Sequence, residues 1–506
     1  MKKKVLGIVL ASIMAASLAA CGSSAESAAP AAEEAAEEAV EEVTDEAEEA
    51  ADEATDEAEE ATDEAEEAED TAEAEIPADA HVLNIWCWND EFQSRFNDYY
   101  PGVAEVAADK STTTLQDGTI VKWTINPNEG SNYQDKLDAA LLSQDSAADN
   151  DKVDIFLIEA DYALKYVDSD YSLDIVNDIG VDEALLADNY QYTKDIVTDE
   201  NGAIKGATWQ ATPGLFAYRR SIAKDVLGTD DPDEVQAALA DWDSFNAVAE
   251  KAAAKGYKML SGYDDSYRTF SNNVSAPWVD GTTVKVDPNI MKWVEQTKEY
   301  TDKGYNNKTS LWSPEWSKDQ GPEGDVFGFF YSTWGINFTL LTNSLADPDG
   351  PQEVGNGIYG DYAVCYGPQP YFWGGTWICA AAGTDDAALI KDIMEQLTTN
   401  ADIMKQITID TQDYTNNKPA MEELANDPDF GSDFLGGQNH IALFVNTADQ
   451  IDMSNTSPYD QGCNENIQSA MKDYFDGNVD LDTAKANFED TITTLYPELT
   501  EVVWPE

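Results

Sequence analysis

Histidine is nearly absent from this chain: His81 and His440 are the only two in 506 residues. A Ser-His-Asp triad would have to use one of them, and no Gly-x-Ser-x-Gly elbow is present. No His-Glu-x-x-His occurs either, which removes that class of zinc hydrolase. Cysteine is scarce, with five residues and no Cys-x-x-Cys pair, so neither a zinc site nor a disulfide scaffold is indicated. Basic residues are few: 29 Lys and Arg stand against 99 Asp and Glu, a formal charge of −70. Such a surface repels phosphate backbones and argues against a nucleic-acid partner. Nothing after residue 81 is long and apolar enough to cross a bilayer.

What is present begins at the N-terminus. Lys2, Lys3 and Lys4 precede an apolar run from Val5 to Ala20, which is short and rich in small residues. This reads as a secretory signal covering 1–20. The run ends in Leu18-Ala19-Ala20-Cys21-Gly22, which resembles a bacterial lipobox. That resemblance implies that Cys21 carries lipid and becomes the first mature residue, at the extracellular face of the membrane of a Gram-positive-type bacterium. The alternative is an ordinary signal peptide with a chance cysteine. Residues 25–75 hold 25 acids and no base, and Thr44-Asp-Glu-Ala-Glu-Glu-Ala50 recurs at 55–61 and 62–68. Alanines fall at helical spacing, but every flanking charge is negative and no i+4 base can pair with it. Self-repulsion makes 21–80 a solvated spacer rather than a coiled coil. An acidic protein of this kind needs a tether to stay near an anionic membrane.

The remainder, 76–506, still carries 26 bases against 74 acids. Val82–Trp86 is a short apolar strand, and 90–100 reads as a helix stopped by Pro101. Residues 119–125 alternate like a strand, 132–142 place Leu137, Ala140 and Leu141 on one helical face, and 153–158 is a strand again. This βαβα order predicts parallel α/β architecture. Further helices are expected at 243–254, 386–398, 401–409, 458–475 and 482–495. Cys87, Cys365, Cys379 and Cys463 read as single buried thiols, although a Cys365–Cys379 bridge stays open if both lie on neighbouring strands. Gly355-Asn-Gly-Ile-Tyr-Gly360 matches a dinucleotide fingerprint by letter only, because no strand precedes it and no helix follows. Asp476–Asp482 lacks the Gly and Glu of a calcium loop and reads as a turn that caps a helix. No cofactor and no metal are implied.

All 13 tryptophans lie beyond the spacer, many beside turn residues. A sugar ring has an apolar C–H face and a rim of hydroxyls, so its site needs flat aromatic surfaces with planar polar groups beside them. Trp86-Cys87-Trp88-Asn89-Asp90, Trp209-Gln210, Trp312-Ser-Pro-Glu-Trp316, Ser332-Thr-Trp334 and Trp373-Gly374-Gly375-Thr376-Trp377 supply that mixture. For each tryptophan, core burial is the competing reading.

The order of segments resembles the extracellular sugar-binding proteins of ABC importers, of the maltose-binding-protein type, over about 82–500. The matching pieces are Ile85–Asp90, Tyr133–Leu137, Val153–Tyr162, Thr212–Leu227, Tyr331–Gly335 and Trp373–Trp377. The chain departs from that pattern at Cys87 and in the long 261–330 segment. The resemblance implies a two-lobed, periplasmic-binding-protein-like α/β fold (type II) with hinge-linked lobes and a central ligand cleft. Lobe 1 would be 81–210 plus about 371–416, and lobe 2 about 211–370 plus 417–506. Crossings are expected near Trp209–Pro213, Gly367–Pro370 and Asn416–Pro419. Carried over by position, the ligand-binding residues would be Asn89, Asp90, Glu159, Asp161, Trp334, Trp373, Gly374, Gly375 and Trp377, with Gln210, Arg268 and Trp312 as weaker candidates beside Trp209. Asn89 and Asp161 could instead cap the helices that follow them. The implied function is capture of a carbohydrate by lobe closure and delivery to ABC permease subunits, by a monomer. A secreted glycoside hydrolase with a carboxylate pair, or a binder of another small solute, remain the alternatives.

Overall fold

The computed structural model describes residues 76–505 apart from Ala78. The expected signal segment, the expected lipidation site Cys21 and all but the end of the acidic spacer therefore lie outside the described residues.

Along the chain the strands are β1 (Val82–Cys87), β2 (Val103–Val106), β3 (Thr112–Leu115), β4 (Ile120–Ile125), β5 (Ile155–Glu159), β6 (Gly214–Arg219) and β7 (Leu260–Gly262). They continue as β8 (Val279–Asp280), β9 (Thr283–Lys285), β10 (Asn306–Thr309), β11 (Gly328–Ser332), β12 (Tyr362–Cys365), β13 (Thr376–Ala380) and β14 (Glu501–Val503). The main sheet has the order β13-β5-β1-β4-β3-β2. At its centre β1 lies parallel to both β4 and β5, with Ile85 opposite Trp123 on one side and Ile155 on the other. Its residues are buried on both faces, which explains a near-continuous apolar run rather than an alternating one. The expected parallel pairing forms the centre of the sheet, and antiparallel strands extend it on both sides. β2, β3 and β4 succeed one another through short turns, which permit only antiparallel pairing. β13 arrives from far along the chain and pairs antiparallel with β5.

Helices pack on this sheet through regular apolar stripes. Glu91–Tyr99 buries Phe92 and Phe96 one turn apart, and Asn132–Leu142 buries Tyr133, Leu137 and Leu141 at four-residue spacing. A second sheet, β11-β6-β12, is antiparallel, and all six residues of its central strand are buried. A third apolar core joins residues 263–294 to the C-terminal helices Asp460–Phe475 and Leu481–Leu495, with β14-β9-β8 at its edge. The helix Pro288–Lys303 in this core is bounded by its own chemistry. The Asp287 carboxylate accepts from the Asn289 N–H, Pro288 opens the first turn, and Gly304 closes it at φ 67°.

The four described cysteines are buried free thiols. Cys365 pairs across to Phe216 in the second sheet and Cys379 to Phe156 in the first, so the two are not on neighbouring strands and the bridge considered above is excluded. Residues 355–360 form turns, and Asp480 caps the final long helix by accepting from the Thr483 N–H. Among the described residues no helix is long and apolar enough to cross a membrane.

Three segments run side by side where the chain passes between the two larger sheets. The Asn416 N–H donates to the Trp209 carbonyl at 2.8 Å, and Ala211 N–H to that of Tyr414 at 3.2 Å. Gly214 N–H donates to the Tyr371 carbonyl at 2.8 Å, and Trp373 N–H to that of Thr212 at 3.2 Å. Thr212 sits at φ 35°, a left-handed backbone that a β-branched residue rarely adopts.

Candidate functional site

β5 ends where a parallel strand gathers loop residues, at its C-terminal edge. Its last residue, Glu159, turns its carboxylate back to accept from the Asp161 N–H at 2.7 Å and caps the turn Ala160–Tyr162. The capping role anticipated for Asp161 thus belongs to Glu159. Asp161 is free to face outward, and both its oxygens take the Arg268 guanidinium in a two-pronged ion pair at 2.5 Å each. Planar fork-to-fork geometry of this kind fixes orientation as well as charge. Arg268 belongs to the short helix Tyr267–Ser271, and its guanidinium lies 6.0 Å from the centre of the Trp373 ring.

Trp373 anchors an aromatic cluster. Trp334 meets it edge-on at 5.4 Å and donates its indole N–H to the Trp373 carbonyl at 3.2 Å. Trp312 stacks on Trp334 at 6.0 Å and 13° between planes, and as a residue it is 56% exposed. Behind it, buried Trp316 is held by a 3.0 Å bond from its indole to Asp265. Trp312 takes φ 68°, so the chain adopts an uncommon conformation to present this ring. Trp334 begins the segment after β11 that continues as π-helical turns over Ile336–Leu341, a geometry that recurs at functional sites. Gly374, at φ 79°, closes the cluster. A Cβ there would stand 3.0 Å from the Trp334 indole nitrogen and 3.7 Å from a Glu159 oxygen.

Glu159, Asp161, Arg268, Trp312, Trp334, Trp373 and Gly374 are therefore brought together. Beside them runs a groove lined by Asp161, Arg268, Asn272, Trp278, Met453 and Asn464. Burial, reinforced by the neighbouring Asp161 charge, raises the Glu159 carboxyl above the ordinary carboxylate range. Asp460 lines the same groove, and burial pushes it up to about 7. The arrangement can hold a flat, hydroxyl-bearing ring by stacking, and can donate and accept hydrogen bonds at its rim.

Other expected residues lie elsewhere. Trp377 is 1% exposed on β13, and its indole donates to the Thr193 carbonyl at 2.8 Å, so it is a core residue. Trp209 is likewise buried, stacked on Phe92 at 5.3 Å. A Cβ on Gly375 would meet Thr212 and Trp377, which makes that glycine a packing requirement. Asn89 and Asp90 are exposed, and the Asn89 side chain accepts from the Glu91 N–H at 3.1 Å, the local turn foreseen as its alternative. Gln210 is buried and donates to Glu91 at 2.8 Å and to Asp413 at 3.1 Å. Burial and the Asp413 charge push Glu91 up to about 7. Glu91, Asp413, Asp460 and the 452–456 loop were not foreseen. They are ordinary acids and a polar loop whose neighbours are set only by long-range folding.

The sequence pattern of the family described as bacterial extracellular solute-binding protein matches residues 112–433. No curated protein sequence matches the chain. Among solved structures, an extracellular solute-binding protein of family 1 aligns with TM-score 0.64 at 17% identity, covering 82% of this chain and 99% of its own. An ABC transporter-associated binding protein from B. animalis subsp. lactis Bl-04, in complex with beta-1,6-galactobiose, aligns with TM-score 0.59 at 16% identity over 84% and 100%. An ABC substrate-binding protein from Listeria monocytogenes, in complex with cycloalternan, aligns with TM-score 0.58 at 14% identity over 83% and 100%. At these identities the likeness is one of fold, and the fold is the two-lobed α/β architecture.

Proposed function

Because the chain belongs to the bacterial extracellular solute-binding proteins, we propose that it captures a carbohydrate, an oligosaccharide in particular, and hands it to ABC permease subunits. The observation that carries this reading is the exposed face of Trp312 stacked on Trp334, with the Asp161–Arg268 pair and Glu159 at its edge. The sugar complexes among the structural neighbours support it. In this reading lobe 1 comprises 81–210 with about 371–416, and lobe 2 the rest of the folded part. Asp161, Glu159, Trp373 and Gly374 then belong to one lobe, and Arg268, Trp312 and Trp334 to the other. A ligand touching both sides favours the closed state, since only that state makes every contact. The protein binds without converting its ligand.

Cys21 would hold this domain to the outer membrane face as a lipid-anchored monomer, and the acidic spacer would set its reach to the permease. Isothermal titration of the full chain against mono- and oligosaccharides tests the reading. Binding should appear for at least one oligosaccharide and weaken by about 1–3 kcal/mol in Trp334→Ala, the scale of a stacked aromatic contact. A folded protein silent across the panel would refute it. Release of new reducing ends from a bound oligosaccharide would favour a hydrolase instead.

A further inference from the structure

The end of the main sheet opposite the aromatic cluster carries a second constellation. His81 immediately precedes β1 and Asp154 immediately precedes β5, while Asp385 and Asp386 follow β13, which runs antiparallel to β5. The chain thus delivers all four to the same edge. One carboxylate oxygen from each of Asp154, Asp385 and Asp386 lies within 4.8 Å of the others. Asp154 is fully buried and is oriented from two sides, by the Asn84 N–H at 2.8 Å and the Thr384 hydroxyl at 2.7 Å. Asp386 is 7% exposed; its Oδ1 lies 2.6 Å from His81 Nε2, and its Oδ2 is buried with no hydrogen-bond partner. Lys152, the nearest lysine in sequence to Asp154, is bonded to Asp149 at 2.9 Å. Of the three acids only Asp386 bonds the imidazole, His81 and Lys152 reach Asp154 and Asp385 only through longer-range charge, and a buried oxygen of Asp386 is left without a donor, which is costly unless a cation takes its place.

We propose that Asp154, Asp385 and Asp386 form a site for a divalent cation of the hard, oxygen-seeking class, with Ca2+ as its occupant. Carboxylate donors select Ca2+, Mg2+ or Mn2+ over softer metals. Oxygens at about 2.3–2.6 Å from a Ca2+ ion stand up to about 5 Å apart across it, so the observed spread accommodates one. His81 would orient Asp386 from outside the coordination sphere, since carboxylates that ligate a metal are themselves held by hydrogen bonds. The site clasps the start of β1, where the chain enters the fold, to the junction between β13 and the helix Ala387–Thr398. Occupancy would resist fraying at the start of β1.

The test is thermal melting of the full chain, first stripped with EDTA and then supplied with millimolar CaCl2. The wild type should gain a few degrees in Tm, because an ion that binds only the folded state stabilises it. Asp385→Asn alters an exposed side chain; it should match the wild type in EDTA and lose most of the gain. Isothermal titration with CaCl2 should show affinity falling at least about tenfold in Asp385→Asn and in His81→Gln. No Ca2+-dependent rise, or an equal rise in Asp385→Asn, overturns the proposal, the latter because it traces the effect to the acidic N-terminal segment.

Discussion

Breaking the Asp161–Arg268 pair should change the shape of the unliganded protein as well as its stability. The two side chains keep 30% and 22% of their surface, so the pair is partly buried and partly screened. A charged hydrogen bond contributes about 1.5–3 kcal/mol, and two such bonds under this degree of solvent access should together contribute about 1–2 kcal/mol. In the two-lobe reading that energy exists only when the lobes are closed. Arg268→Met would therefore shift the open-to-closed ratio about 5–30-fold. Small-angle scattering of the ligand-free protein should show a larger radius of gyration for Arg268→Met and for Asp161→Asn. A double-mutant cycle on stability should return a coupling of about 1–2 kcal/mol. The reasoning fails if scattering is unchanged in both variants and the coupling is below about 0.3 kcal/mol.

Three further outcomes are expected. Glu91, pushed up to about 7, holds its proton more tightly folded than unfolded, so its contribution to stability is lost as pH rises from about 4.5 to about 7; Glu91→Gln should flatten the pH-dependence of denaturant unfolding there and add about 1–3 kcal/mol at pH 7.5. Gly374→Ala puts a Cβ at φ 79° against the Trp334 indole; it should cost about 1–3 kcal/mol by thermal melting and weaken sugar binding by displacing that ring. Cys21→Ala should release into the medium a protein that still binds sugar, and its persistence in the membrane pellet would remove the case for lipidation.

Much of the fold could be read in advance where the signal is local. The helix Asn132–Leu142 falls where its four-residue apolar spacing placed it, and β1 announces itself by an apolar run that only a doubly covered strand needs. The antiparallel strands β2 and β3 were not anticipated, because Thr112–Leu115 has little apolar contrast and gains its partners from β4 and β2. In the site, the tryptophans beside turns include Trp312, Trp334 and Trp373, which the fold brings into one cluster. The same pattern also selects Trp377, whose ring the alternation on β13 turns into the core, with Thr376 on the opposite face.

The sequence by itself determined the charge, the scarcity of histidine, and the strands and helices with strong periodicity. These depend on residue type and on neighbours a few positions away. Only the tertiary structure decided which acids matter. Asp161 meets Arg268 across 107 residues, Gln210 meets Asp413 across 203, and Asp154 joins Asp385 and Asp386. With 74 acids in the folded part and its flanks, composition cannot rank them. Burial and a specific partner are what distinguish one carboxylate from another, and both arise when distant segments pack.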